Sequence, residues 1–148
     1  MLPRWHILYG AIFSLIIWLA VPNLNPLYIV LTFLASVFID FDHYMCSVCK
    51  TKKISLFHSF RYHEKLQKRE FEDRAQGIRA KSDFHIFHTI EFHILIGILS
   101  FFWIGFFYIF IGMVFHSLLD IISLLYDDFM YVREFFLVRW LWRHWRHR

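Results

Sequence analysis

The sequence predicts an all-α membrane protein: about four short transmembrane or re-entrant helices paired as two hairpins, followed by an interfacial amphipathic helix at the C-terminus. Three observations predict it. Of the 148 residues, 58% are hydrophobic and 22% aromatic, with only 5 Gly and 3 Pro, and the mean hydropathy is +0.45. That composition stands above an ordinary water-soluble domain and excludes disordered, linker-like and collagen-like chains. The 16 Lys and Arg are confined to Arg4, a central block from Lys50 to Lys81, and a tail from Arg133 to Arg148. Residues 5–49 and 82–132 hold none, as segments immersed in hydrocarbon require. Finally, the apolar stretches come in pairs around turn signals, within a single domain over 1–148.

The first pair, 7–21 and 27–39, flanks Val21-Pro22-Asn23-Leu24-Asn25-Pro26, a turn rather than a signal-peptide cleavage site. At about 1.5 Å per residue these stretches reach roughly 22 and 20 Å of a ~30 Å hydrocarbon layer. Adding Pro3 to His6 before and Asp40 to Tyr44 after brings both near full length. Residues 46–84 mix ten cations with Glu64, Glu70, Glu72, Asp73 and Asp83, the pattern of a solvated cytoplasmic segment and a poor phosphate-backbone stripe, so nucleic acid is not an expected partner. The second pair, 94–104 and 106–115, flanks Gly105, with the pattern resuming over 117–126. Cations on both sides of this pair belong on one face of the membrane, which demands an even number of crossings. A hairpin is therefore expected, in a multi-pass protein of the inner (cytoplasmic) membrane with both termini cytoplasmic. The tail, 131–148, sets Phe135, Phe136, Trp140, Trp142 and Trp145 among five Arg, a composition suited to an interfacial helix on an anionic leaflet.

Ionisable groups inside such stretches are functional candidates by default. They are His6, Asp40, Asp42, His43, His85, His88, Glu91, His93, His116 and Asp120, and each lies at a helix end placed near the cytoplasmic face. His116 and Asp120, four apart on a helix, share one face. Asp40-Phe41-Asp42-His43 is compact enough for two of its three polar side chains to share a cation. Imidazole with carboxylate and no thiolate suits zinc, with manganese or iron also compatible, in a site of one to three ions. Such a cage activates a water and polarises a phosphoryl or acyl oxygen. Glu91 and Asp42 are the candidates for proton transfer, although Glu91 also fits as a further ligand or as an acidic residue of a helix first turn. Cys46-x2-Cys49 before His58-x4-His63 leaves eight residues where a zinc finger needs about twelve, so free thiols are expected there. His144 and His147 belong to the solvated face of the tail.

Four segments resemble the small inner-membrane metal-dependent hydrolases of the YdjM type, a LexA-regulated family distantly similar to zinc-dependent phospholipase C and the P1-type nucleases. They are Trp5-His6-Ile7-Leu8-Tyr9-Gly10, Phe38-Ile39-Asp40-Phe41-Asp42-His43, His88-Thr89-Ile90-Glu91-Phe92-His93, and Gly112-Met113-Val114-Phe115-His116-Ser117-Leu118-Leu119-Asp120. The third departs from the family pattern His-Arg-x-x-x-His-Ser, lacking its Arg and Ser; His85-Ile86-Phe87-His88 is an alternative frame. The resemblance implies metal ligation by His6, Asp40, Asp42, His43, His88, His93, His116 and Asp120. It also implies hydrolysis of a phosphoester in a membrane lipid or lipid-linked substrate, and leaves oligomeric state open. The alternatives are an intramembrane metal transporter or metal-binding protein without catalysis, and a His-ligated haem or redox protein.

Overall fold

The computed structural model describes residues 3–146, with side chains from Trp5 to Arg146. The side chain of Arg4, and His147 and Arg148 of the tail, lie outside the described residues. Among the described residues seven α-helices follow in chain order: α1 Pro3–Ala20, α2 Pro26–Phe38, α3 Phe41–Thr51, α4 Leu56–Ala75, α5 Ile90–Leu99, α6 Ile104–Tyr126 and α7 Leu137–Arg146. A 3-10 turn, Ile86–His88, precedes α5. No strand occurs among the described residues.

The helix boundaries have local causes. Asn25 accepts a hydrogen bond from the Leu27 amide at 2.9 Å with Pro26 at the first helical position, a favourable N-terminus because proline's missing donor is one the helix cannot use there. Thr89 starts α5 in the same way, its hydroxyl accepting from the Phe92 amide at 3.3 Å. Lys52 closes α3 in the left-handed region at φ 58°. The segment 46–84, expected as solvated chain, supplies the end of α3 and the 20-residue α4.

The second hairpin differs from expectation in where it turns. The reversal falls at Ser100–Trp103, and Gly105 lies in the first turn of α6, where a Cβ would stand 2.3 Å from the Trp103 ring. Nothing interrupts α6 between Phe115 and Ser117, so the apolar pattern from 106 to 126 is one helix of 23 residues. At 1.5 Å per residue α6 is about 34 Å long and the ten-residue α5 about 15 Å. Two helical stretches are long and apolar enough to cross a membrane, Pro26–Thr51 and Ile104–Tyr126; α1 and α5 are apolar but shorter.

α2 packs between α1 and α6, and α6 also meets α5. The approach is close because glycine stands at both crossings. A Cβ at Gly10 would lie 2.3 Å from the Ser36 hydroxyl, and one at Gly112 would lie 2.3 Å from the Thr32 carbonyl oxygen. The interior is polar and the exterior apolar. Ile39, Ile96 and Met113 form a small core, while His6, Thr32, Ser36, Asp42, His85, His88, Thr89, His116 and Asp120 are buried. Leu19, Ile122 and Leu125 are 60% exposed or more, together with most of the aliphatic surface of α1 and α6. A contiguous apolar surface of this kind marks contact with lipid or protein.

After α6 the chain forms a strap, 127–136, that turns over 127–132, with Asp128 at φ 55°, and then runs without regular structure to Phe136. Its backbone accepts from Ser82 and Ile90, at Val132 and Phe135, both at 2.9 Å. Buried Phe129 and Val132 anchor it. The C-terminal helix begins only at Leu137, so the expected interfacial element is shorter than the tail and carries Arg139, Arg143 and Arg146 among Trp140, Trp142 and Trp145.

Candidate metal centre

The α2–α3 junction, one 3-10 turn and the middle of α6 bring the polar residues together; His116 and Asp120 lie inside a 23-residue helix rather than at the expected helix end, because the helix runs through them unbroken. Asp40 stands at the α2–α3 junction, His88 closes the 3-10 turn, and His116 and Asp120 occupy adjacent turns of one face of α6. The Nε2 of His116 lies 3.3 Å from Asp40 Oδ1, 3.5 Å from Asp120 Oδ2 and 3.3 Å from His88 Nε2. His88 Nε2 is in turn 3.5 Å from Asp40 Oδ1 and 3.7 Å from Asp120 Oδ2. Donors roughly 2.0–2.1 Å from one ion in a tetrahedron stand about 3.3–3.4 Å from each other. Five of the six edges run from 3.3 to 3.7 Å, at or slightly above that figure, and the four donor atoms all lie within 4.8 Å of one another. The four residues therefore fit a small divalent cation of the zinc type, and nothing in their chemistry selects among zinc, manganese and iron.

The far side of each imidazole is held as well. His116 Nδ1 donates to the Ser36 carbonyl at 2.7 Å, and His88 Nδ1 donates to Asp42 Oδ2 at 3.1 Å. Both contacts leave Nε2 free to accept a cation, which is how outer partners set the tautomer of a ligating histidine. Asp42 Oδ2 also accepts from the Phe87 amide at 2.9 Å, so it fixes the turn that carries His88. Burial disfavours a proton on His88, but hydrogen bonds to Asp40 and Asp42 outweigh it and raise the imidazole above its ordinary value. His6 Nε2 lies 3.2 Å from Asp120 Oδ1, and its ring stacks on His116 with centroids 3.9 Å apart, so α1 borders the cluster at Asp120 and His116.

Asp42, His43 and His88 form a second close group. His43 Nε2 is 3.6 Å from Asp40 Oδ1, and these two side chains are about a quarter exposed, which places the opening of the centre at the α2–α3 junction. His85 is buried against Asp42, with Nδ1 3.8 Å from Asp42 Oδ1. Burial pushes its imidazole down to about 4 despite the nearby Asp42 charge, so it is neutral at pH 7.

Of the residues singled out in the sequence, Asp40, His88, His116 and Asp120 share one cluster, Asp42, His43 and His6 border it, and His85 stands behind Asp42. Two do not arrive. His93 donates or accepts at both ring nitrogens elsewhere, to the Thr89 carbonyl at 2.9 Å and the Ser117 hydroxyl at 3.0 Å, because five residues along the chain carry it from the 3-10 turn onto α5. The Glu91 carboxylate accepts from the Leu137 and Val138 amides at 3.0 and 3.1 Å; it caps α7 and has no contact with the cluster. Nor do Cys46, Cys49, His58 and His63 converge. Cys46 donates to Asp83 at 3.3 Å, His58 meets Lys53 at 3.3 Å and His63 donates to the His43 carbonyl at 2.9 Å, while Cys49 is an exposed free thiol.

One residue at the centre escapes the sequence patterns. Arg133, from the strap, places Nη1 2.8 Å from Asp120 Oδ2. Nothing in its neighbourhood in the chain signals this, since it reads as the first cation of a basic tail. Comparison with protein-family models, with curated proteins and with solved structures finds no match to this chain.

Proposed function

We propose that the chain is a membrane-embedded, metal-dependent hydrolase acting on a phosphoester of a lipid or lipid-linked substrate. One observation carries the proposal: four donors from three separate parts of the chain lie within 4.8 Å of one another, at separations close to those of a tetrahedral site, each imidazole oriented by an outer partner. A cation held there supplies Lewis acidity toward a phosphoryl oxygen and acidifies a water. The protein's own groups hold it: Asp40, His88, His116 and Asp120 bind, Asp42 and Ser36 orient, and His6 braces Asp120. His43, at the opening and beside Asp40, is placed to accept a proton from the attacking water.

The membrane setting supports a lipid-borne substrate. With α6 lying across the bilayer, His116 falls twelve residues from Ile104, about 18 Å along the helix and thus within the hydrocarbon layer rather than beyond it. α5, about 15 Å long, then dips into the layer beside it as a re-entrant limb, and α7 lies along the cytoplasmic interface. A substrate arriving from within the leaflet reaches such a centre laterally. Convergence on a single point favours chemistry over ion passage, which spreads ligands along a path. It also disfavours haem, whose axial histidines stand on opposite faces of a macrocycle.

Metal analysis of protein purified in mild detergent tests the proposal. Wild type carries stoichiometric zinc, manganese or iron and hydrolyses bis(p-nitrophenyl) phosphate or a phosphatidylglycerol vesicle; chelation removes both properties. His116→Ala and Asp40→Ala lose the metal. Wild type without transition metal, even after zinc is supplied, overturns the metal centre; metal without ester cleavage overturns the hydrolase.

A further inference from the structure

We infer that Arg133 is the anion-binding half of the centre: its guanidinium receives the phosphoryl oxygens of a phosphate ester beside the cation. The inference rests on the metal-centre proposal and deepens it. Arg133 is delivered by the strap, whose backbone is pinned on either side of it. Val132 accepts from Ser82, Phe135 accepts from Ile90, and the Arg133 carbonyl itself accepts from Lys81 at 2.9 Å. Its neighbour Glu134 is buried and holds Arg139 at 2.5 Å and Arg143 at 3.1 Å, which ties those two cations to the strap and away from the centre. Arg133 is thus a fixed charge on a braced backbone.

Its side chain is 15% exposed. Among the described residues its hydrogen-bond partner is Asp120, through a single Nη1. A guanidinium offers five N–H donors in a planar fork suited to two oxygens of one phosphate, so most of the fork is left for a ligand. The oxygen it touches, Asp120 Oδ2, is the one that faces His88 and His116. The guanidinium thus sits against the same carboxylate oxygen that faces both imidazoles, and an anion drawn to a cation held by these residues would lie beside the fork. The local charge agrees: Arg133 sets a positive charge on the Asp120 side of the cluster, which an anionic ester matches and a neutral carboxylic ester does not.

The experiment titrates zinc-loaded protein in neutral detergent with inorganic phosphate and, separately, with dihexanoyl phosphatidic acid, by calorimetry, alongside zinc affinity. Wild type binds at least one of the two. Binding of both says the site reads the phosphate alone, and binding of the lipid only says the acyl chains contribute. Arg133→Ala weakens that binding about 10- to 100-fold while zinc affinity stays within a few-fold, and Arg133→Lys, which keeps the charge but loses the fork, falls between. Arg146→Gln removes a tail cation remote from the centre and binds as wild type. Should Arg133→Ala fail to fold or to load zinc, Arg133→Lys carries the comparison. Zinc-loaded wild type that binds neither probe, Arg133 variants that bind like wild type, or a loss of zinc affinity with unchanged phosphate binding overturns the inference and leaves the metal centre standing. Wild type that never loads zinc overturns both.

Discussion

His116 contacts α2 through Nδ1 and the Asp40, His88 and Asp120 donors through Nε2, and it is fully buried. A residue in that position cannot be replaced by a side chain with one polar atom without abandoning either the helix contact or the cluster. His93 is the useful contrast, because the same chemistry is satisfied by Thr89 and Ser117 away from the cluster. His93→Ala is expected to retain the full metal content by elemental analysis, where His116→Ala retains none. Asp83 marks a second polar knot, where α3 meets α4. Burial acts to raise its carboxyl, but hydrogen bonds from Lys50, from Tyr62 at 2.7 Å and from Cys46 at 3.3 Å prevail and hold it below the ordinary value. A carboxylate depressed in the folded state contributes stability above its unfolded pKa of 3.8, and that contribution is lost as pH falls through the lower folded value. Asp83→Asn therefore costs about 1–3 kcal/mol at pH 7, and the difference from wild type closes below pH ~3.8 when thermal midpoints are followed in detergent. A gap that widens toward acid would contradict this assignment.

At the scale of the element, α6 does three things with one face. Gly112 lets its backbone approach Thr32, and His116 and Asp120 follow at one-turn intervals on the same side. The close crossing sets the 2.7 Å contact between His116 and Ser36, so packing and ligation are coupled. Gly112→Ala forces a Cβ into the Thr32 carbonyl, a backbone atom with nowhere to move. The expected cost is about 1–3 kcal/mol in stability. A zinc affinity lower by about 10- to 100-fold accompanies it, as when an outer partner is lost. An unchanged zinc affinity by competition with a chromogenic chelator would show that the helix crossing does not position His116. The helical periodicity behind this face was legible: His116-x3-Asp120 and the apolar run around it predict a helix with both ligands aligned. The turn of the second hairpin was not, because Gly105 is a turn signal in sequence but serves here to admit the Trp103 ring.

For the whole molecule, the arrangement inverts that of a water-soluble domain. The helices enclose serine, threonine, histidine and aspartate and present leucine, isoleucine and phenylalanine outward, which is favourable when the surroundings are hydrocarbon and costly in water. The protein is expected to remain in the membrane pellet after alkaline carbonate extraction and to need detergent for release. Recovery in the carbonate supernatant as a monodisperse monomer would remove the lipid-facing interpretation of these surfaces.

What the sequence determined by itself was whatever depends on local order: the helical class, the apolar stretches, the turn at Pro22–Pro26, and the pairing of His116 with Asp120. Composition and spacing carry these because helices are built from contacts three and four residues apart. Only the tertiary structure decided which polar groups meet. It turned His93 and Glu91 to Ser117 and to the start of α7, ranked Asp42 behind His88, and brought Arg133 from the tail to Asp120. Those contacts join positions far apart in the chain, and their geometry follows from how closely glycine lets three helices approach and where a pinned strap crosses them, neither of which a local pattern encodes.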